Sequence, residues 1–173
     1  PRYNVAPGAS VFCGVSVEGA YRGGWLEWGV RPSWAKSRLI NAKVEKFRSG
    51  KGYWNSWKPC FLPATGIYEW SADRKTQNIR RGDGVPLLLA GLWGRTEEGD
   101  ARVVIVTESA AAWMQPIHHR MPVLLSHESC RHWCEQGLVL GRLDGSALEI
   151  TEVGKYVNRV GNDGPECWES VIH

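Results

Sequence analysis

Three residues spread along the chain have side chains that can move protons between reacting groups: Asn41, Glu69 and His118. Glu69 lies between Tyr68 and Trp70 in a strand-like run, and we expect aromatic packing to remove water from its carboxylate. Desolvation favours the protonated acid, which suits a general acid near neutral pH. An imidazole such as His118 both gives and accepts protons near pH 7. Because the Asn41 amide adds uncharged donors and an acceptor, the three residues together predict a proton-transfer site.

Each of these residues also has an ordinary structural explanation. A single Glu in a strand usually lies on a solvated face, and a single His is usually a hydrogen-bonded structural residue. Taken one at a time, these explanations outweigh a catalytic role. The functional hypothesis therefore depends on the three residues occurring together and in this order.

The segments around these residues resemble the SOS-response-associated peptidase family, whose members process abasic sites in single-stranded DNA. The resemblance spans nearly the whole chain and is carried by residues 2–7, 28–36, 41–45, 60–64, 66–70, 90–93, 104–107, 117–122 and 157–158. No single segment is specific, whereas the ordered set is. The resemblance implies a single domain over residues 1–173, built on a strongly bent sheet that closes toward a barrel and carries flanking helices.

The resemblance also implies a nucleophile that the printed chain does not show. Family members use the cysteine exposed when the initiator methionine is removed, followed by Gly and Arg, whereas this chain begins with Pro1 and Arg2. We therefore expect the printed chain to lack an N-terminal segment and to be catalytically incomplete as it stands. Cys13 is not a substitute, because it lies downstream of the first matching segment and has no free α-amino group.

In the mechanism that the resemblance implies, an abasic deoxyribose opens to an aldehyde, and the N-terminal cysteine closes a stable thiazolidine ring on it. Glu69 transfers protons during ring opening and Schiff-base formation, His118 assists, and Asn41 orients the sugar or the amine. Lys43 stands where an arginine is common in the family. It keeps the positive charge but lacks the planar guanidinium group that can bind a phosphate through two N–H donors. Arg120 either contacts phosphate or braces the His118 loop. Lyase and self-processing peptidase activity would follow from the same site, whereas hydrolysis of other proteins is a poorer hypothesis.

The charge distribution predicts a surface for single-stranded nucleic acid. Residues 1–60 hold ten Lys and Arg against three Asp and Glu, whereas residues 61–173 hold eleven against fifteen. A basic block of this kind attracts phosphates and gives salt-dependent binding. The DNA-binding residues predicted from charge, aromatic character and resemblance are Asn4, Pro7, Arg31, Trp34, Lys36, Lys43, Arg48 and Arg120.

Seven of the ten tryptophans fall into two predicted groups. Exposed rings among cations stack on unpaired bases for about 1 to 3 kcal/mol per base. The basic stretch contains four such rings, Trp34, Tyr53, Trp54 and Trp57. Of these, Trp34 is the one for which we favour base contact. Core positions are expected instead for the rings in apolar strand-like runs, Trp25, Trp28, Trp70 and Trp93.

Two other functions compete with the enzyme hypothesis. A non-enzymatic binder of single-stranded DNA or RNA would keep the basic aromatic surface without a nucleophile, although it would not need the three proton-transfer residues. A zinc site would use His127, Cys130 and Cys134, which share one helical face. Trp133 suggests that this face is apolar, and no Cys-x-x-Cys pair is present. We therefore predict no metal and no cofactor.

The 173 residues, of which 43% are hydrophobic, suffice for one domain with a core. Strand-like runs occur at residues 10–17, 24–30, 66–71, 86–93, 102–107, 123–125, 147–150 and 155–160. Two helices are predicted, one over residues 110–115 after a Ser109 cap and one over 127–136 between Ser126 and Gly137. These elements predict an α+β fold with a mostly antiparallel, strongly curved β-sheet approaching a barrel and a few short flanking helices.

The sequence also bounds where the protein works. It has no apolar run long enough for a membrane helix, and its first residues lack the layout of a signal peptide. Five cysteines at uneven spacing indicate a reducing compartment. We expect a cytoplasmic monomer that joins nucleoid DNA during damage.

Overall fold

The computed structural model describes residues 1–171 and shows a mixed α+β chain that is mostly sheet. Its strands are β1 (Ser10–Val17), β2 (Ala20–Trp28), β3 (Asn41–Lys43), β4 (Lys58–Ala64), β5 (Ile67–Trp70), β6 (Thr76–Arg81), β7 (Leu87–Arg95), β8 (Ala101–Ser109), β9 (Arg120–Pro122), β10 (Leu124–Leu125) and β11 (Leu148–Val153). The helices are α1 (Val44–Arg48) and α2 (His127–Gln136), and short 3-10 helices cover Tyr53–Ser56, Gly145–Ala147, Lys155–Asn158 and Pro165–Trp168. No helix in residues 1–171 is long and apolar enough to span a membrane.

The main sheet curves until its strand pairings form a ring. It runs β10-β7-β4-β1-β2-β8-β3, and an additional β7–β8 pairing joins the two sides. Most pairings are antiparallel, while β2 and β3 both run parallel to β8. The β1–β4 contact requires glycine at position 14, because a Cβ there would lie 2.3 Å from the Phe61 ring. A separate three-stranded sheet, β11-β6-β5, carries Glu69.

The ring of strands separates two hydrophobic cores. Successive residues of a strand point to opposite faces, and in β8 Val103 packs into one core while Val104 packs into the other. The core that holds Val103 is the inner core. The outer core, which holds Val104, lies beneath α1 and α2 and includes Trp57 and Trp133. A smaller third cluster, around Val153, lies near the small sheet.

Helix α2 confirms the sequence prediction at both ends. The Ser126 side chain accepts a hydrogen bond from the Ser129 N–H, and Gly137 ends the helix in the left-handed conformation with φ of 69°. Trp133, which is fully buried, donates from its indole N–H to the carbonyl of Cys60 at 2.7 Å. The helix is therefore fixed to β4 by a polar bond as well as by apolar packing.

Two predicted elements are wrong, and four strands were missed. Residues 110–115 form turns instead of a helix, because β8 extends to Ser109 and leaves too few residues before Pro116. The predicted strand at 155–160 is replaced by the 3-10 helix Lys155–Asn158. The missed strands are β3, β4, β6 and β9. β3 has three residues, and β4 contains two prolines, so neither presents a regular strand pattern.

The core predictions for the tryptophans are wrong in two cases. Trp25 is 67% exposed and Trp70 is 46% exposed, although both lie in strands. Trp28 and Trp93 are half-buried. The strand-like patterns identified the strands, but alternation along them did not show which face meets solvent.

We expect Gly91→Ala to lower the free energy of unfolding by about 1 to 3 kcal/mol through overpacking. A Cβ at Gly91 would lie 2.3 Å from Leu62 Cδ1 and 2.9 Å from the Cys60 sulfur. Gly24→Ala is the matched control, because nothing lies within 4 Å of its added Cβ. Urea denaturation of both variants measures the difference, and equal stabilities would contradict the close packing described for β7.

Candidate functional site

Glu69 lies on β5 opposite Gln77 of β6 and is half-buried. Burial raises the pKa of its carboxyl above the usual value, and the nearby His118 opposes part of that rise. Strand alternation places Glu69 on the same face as Ile67, which packs against the inner core. The pKa therefore shifts in the direction expected for a general acid, while strand alternation points the flanking rings to the opposite face.

The ring of His118 is held by backbone groups of Arg120. Its Nδ1 lies 3.2 Å from the Arg120 N–H nitrogen and 2.9 Å from the Arg120 carbonyl oxygen. Nδ1 accepts from the N–H in one tautomer and donates to the carbonyl in the other. Both contacts use Nδ1, so Nε2 is the ring nitrogen left to face a reacting group. The exposed ring of His119 lies beside it, with ring centroids 4.4 Å apart.

Glu69 and His118 are thus near enough for the imidazole to act on the carboxyl, although they lie 49 positions apart in the sequence. An acid with a raised pKa near an imidazole can supply one proton and accept another in the same reaction. Glu69 comes from β5 of the small sheet and His118 from the loop that joins β8 to β9.

Arg120 braces the site through its side chain. Its guanidinium donates to both carboxylate oxygens of Glu45, at 2.9 and 3.0 Å, and to the Thr107 carbonyl at 2.7 Å. Its Nε is buried without a partner among residues 1–171. Of the two roles left open by the sequence, this geometry favours bracing of the His118 loop over contact with phosphate.

We expect Glu45→Ala to destabilise the protein by about 1 kcal/mol, a value discounted because the Glu45 side chain is half exposed. The Arg120 hydrogen bond lowers the pKa of Glu45 below its usual value. The stability that this ion pair adds is present at pH values above the pKa of Glu45 in the unfolded state. It is lost as the pH falls through the lower pKa of Glu45 in the folded state. Thermal unfolding across this pH range should therefore show a difference that disappears in acid. Lys46→Gln on the same helix is the control, and a difference that persisted in acid would contradict the ion pair.

Asn41 and Lys43 are placed on the exposed side of β3. Both are exposed, whereas Ala42 between them is buried, so their side chains leave the same face of the strand. The strand runs beside β8, with Asn41 opposite Ile105. Helix α1 follows directly, and the bond from Glu45 to Arg120 connects this segment to the His118 loop.

An aromatic row begins at Trp34, which is 61% exposed. Ring centroids are 5.4 Å apart for Trp34 and Tyr53, 4.9 Å for Tyr53 and Trp54, and 5.0 Å for Trp54 and Trp57. Trp57 is only 4% exposed and belongs to the outer core, so it cannot stack on a base. The other end of the row, at Trp34, is available for that role.

The remaining predicted DNA contacts differ in how free their side chains are. Lys36 and Arg48 are exposed, and Arg31 is exposed with one long bond of 3.4 Å to the Lys36 carbonyl. Pro7 is exposed. Asn4 has a structural role, because its amide donates to the carbonyls of Val157, Arg159 and Asn162.

The rival zinc ligands do not form a site. Cys130 and Cys134 are buried against the sheet, whereas His127 is exposed. Within residues 1–171 no three His, Cys, Asp or Glu side chains are grouped so that they could hold a metal ion.

Comparison with known proteins decides the family. A family profile described as SOS response associated peptidase (SRAP) matches residues 1–160. The chain belongs to this family. The SRAP match includes Asn41, Glu69 and His118 and the basic aromatic stretch.

Relatives of the SRAP chain cover nearly all of its length. Abasic site processing protein YoqW of Bacillus subtilis strain 168 is 31% identical over 194 residues, which are 98% of this chain and 86% of YoqW. Abasic site processing protein YedK of Escherichia coli strain K12 is 31% identical over 191 residues, which are 98% of this chain and 85% of YedK.

Solved structures share the SRAP fold. A phage-related protein from Bordetella bronchiseptica matches with a TM-score of 0.74 and 27% identity, covering 88% of this chain and 82% of that one. A protein from Bacteroides thetaiotaomicron matches with a TM-score of 0.76 and 19% identity, covering 95% and 82%.

Sequence reasoning missed the part that Glu45 plays in this SRAP site. Glu45 is the only acid in the basic block that runs from Arg31 to Lys58, and that isolation was the available signal. Its partner, Arg120, lies 75 positions away. The pairing could not be read from either segment alone.

Proposed function

We propose that this protein processes abasic sites in single-stranded DNA by forming a covalent crosslink to them. The observation that carries the proposal is the half-buried Glu69, whose pKa is raised by burial and which His118 lies near enough to influence. Membership of the SRAP family and relatives named abasic site processing protein support it. A surface that only binds DNA has no need for a desolvated acid beside an imidazole.

The chemistry proceeds through the open-chain form of the abasic sugar, which presents an aldehyde. The α-amino group of the N-terminal cysteine, which the family resemblance places ahead of the segment that begins this chain, adds to the aldehyde carbon and one water leaves. An unperturbed α-amino group has a pKa of about 7.7 to 8.0, so part of it is neutral at pH 7. The cysteine thiol then adds to the imine carbon, its proton ends on the nitrogen, and a thiazolidine ring results.

The residues of this chain supply the proton transfers and the binding. Protonated Glu69 donates as the sugar ring opens and as water leaves, and His118 accepts and returns a proton through Nε2. Asn41 orients the sugar or the amine from the exposed face of β3. Lys43 holds a neighbouring phosphate, and Trp34 stacks on an adjacent base.

Two further activities of the same site belong to this proposal. Elimination at the abasic sugar would cleave the strand and give lyase activity, with His118 as the base. Removal of a peptide that precedes the cysteine would free its amine and account for the peptidase label of the family. Both activities use the groups already named and need no second site.

The test is incubation of the full-length gene product with single-stranded DNA that carries one abasic site, followed by a denaturing gel without reductant. We expect a heat-stable shifted band that is absent with undamaged DNA of the same sequence. Salt-sensitive binding to both DNAs without a shifted band would instead favour a non-enzymatic binding module.

A further inference from the structure

A second basic and aromatic feature lies apart from Glu69 and His118, where β4 begins and β7 ends. A cavity of about 310 Å³ is lined there by Ser56, Lys58, Trp93, Gly94 and Arg95. Strand pairing sets Lys58 opposite Trp93. Gly94 lines the cavity with its backbone, since a Cβ there would point to the opposite face of β7 and lie 2.7 Å from the Trp57 ring.

The two cations of this cavity have no acidic partner within residues 1–171. Lys58 Nζ lies 5.9 Å from the centroid of the Trp93 ring, a cation–π distance. Arg95 donates only to the carbonyl of Gly99, at 2.7 Å. By contrast, the guanidinium groups of Arg120 and Arg142 are held by carboxylates. Two unpaired positive charges beside a ring are suited to a phosphate next to a base.

Acidic residues lie on one side of the cavity, just after Arg95. Glu97 and Glu98 lie in the turn between β7 and β8, and the Glu97 carboxylate is 3.3 Å from the Ser33 hydroxyl. Burial raises the pKa of Tyr53, and the charges of Glu97 and Glu98 raise it further. A DNA backbone is repelled by this turn and attracted by Lys58 and Arg95.

We infer that this cavity is a second nucleotide-binding subsite, which takes a phosphate and base of the same single strand beyond the abasic position. Lys58 and Arg95 hold the phosphate, and the base lies against Trp93. The inference rests on the proposed function, because it takes the ligand of the cavity to be a further part of the single DNA strand that carries the abasic site.

The test compares the full-length protein with a Lys58→Gln/Arg95→Gln double variant. Binding to undamaged fluorescent oligothymidine is measured by anisotropy over a salt series. Each single-strand phosphate contact contributes a slope of about 0.7 in the logarithm of affinity against the logarithm of salt, and Lys58 and Arg95 hold one phosphate, so the double variant should lose about 0.7. The loss should appear with an oligonucleotide of about 16 nucleotides and be absent with one of about 4, within the usual range of site sizes.

Lys155→Gln is the control, because Lys155 is exposed in a 3-10 helix outside this cavity. Equal slopes for the double variant and the unchanged protein would overturn the subsite, even if the unchanged protein crosslinks abasic DNA. A reduced slope with the long oligonucleotide, together with no crosslinking by the unchanged protein, would support the subsite and overturn the proposed chemistry. Circular dichroism of the double variant checks that the fold is retained.

Discussion

A Glu69→Gln variant is expected to crosslink abasic DNA about 10² to 10⁴ times more slowly than the unchanged protein, the usual contribution of a general acid. Glutamine keeps the size and hydrogen bonding of the side chain but cannot give up a proton. Single-turnover rates on a denaturing gel measure the effect. Glu128→Gln, which changes an exposed glutamate at the start of α2, is the matched control. A rate equal to that of the unchanged protein would exclude Glu69 from proton transfer.

The same substitution is expected to stabilise the fold at neutral pH. Burial raises the pKa of Glu69, so the folded state binds its proton more tightly than the unfolded state does. Ionised Glu69 therefore destabilises the folded state increasingly as the pH rises from the unfolded pKa to the raised one. The variant should unfold at a higher temperature than the unchanged protein at pH 7 and at a similar temperature in acid. A lower unfolding temperature at pH 7 would show that the carboxylate is held by favourable contacts.

Trp133→Ala is expected to cost about 3 to 5 kcal/mol of unfolding free energy, the largest stability effect that we predict. Trp133 is fully buried in the outer core, and its indole N–H donates to the carbonyls of Cys60 and Gly91. Urea denaturation gives the value if the variant folds. Trp133→Phe keeps an aromatic ring and loses the donor, so it should cost about 1 to 3 kcal/mol.

The control for this prediction is Trp25→Ala, because Trp25 is 67% exposed. A surface substitution of this kind should change stability by no more than about 0.5 kcal/mol. Equal losses for Trp25→Ala and Trp133→Ala would contradict the difference in burial between the two rings.

Elements with local signals were predictable from the sequence. Helix α2 carries its own start and stop residues, Ser126 and Gly137, and both ends were predicted correctly. The segment 110–115 also carries a serine and a proline as boundaries, yet it forms turns. There the pairing of Ser109 with Arg120 extends β8, a long-range contact that the local pattern does not reveal.

The residues of the site could be predicted one at a time, but their arrangement in space could not. The direction of the Glu69 pKa shift and burial as its cause were predicted, whereas the position of Glu69 on the same face of β5 as the core residue Ile67 was not. Asn4 was predicted to contact DNA, yet its amide ties the N-terminal segment to three carbonyls far along the chain. Such roles depend on which distant segments meet, and one sequence does not contain that information.

The central claim is that Glu69 and His118 act as one proton-transfer unit, and a double-mutant cycle tests it most directly. Single-turnover crosslinking rates are measured for the full-length protein and for Glu69→Gln, His118→Asn and the double variant. Groups that act as a unit are not additive, so the double variant should be about as slow as the slower single variant. Rate losses that multiply would show that the two residues act independently and would contradict the claim.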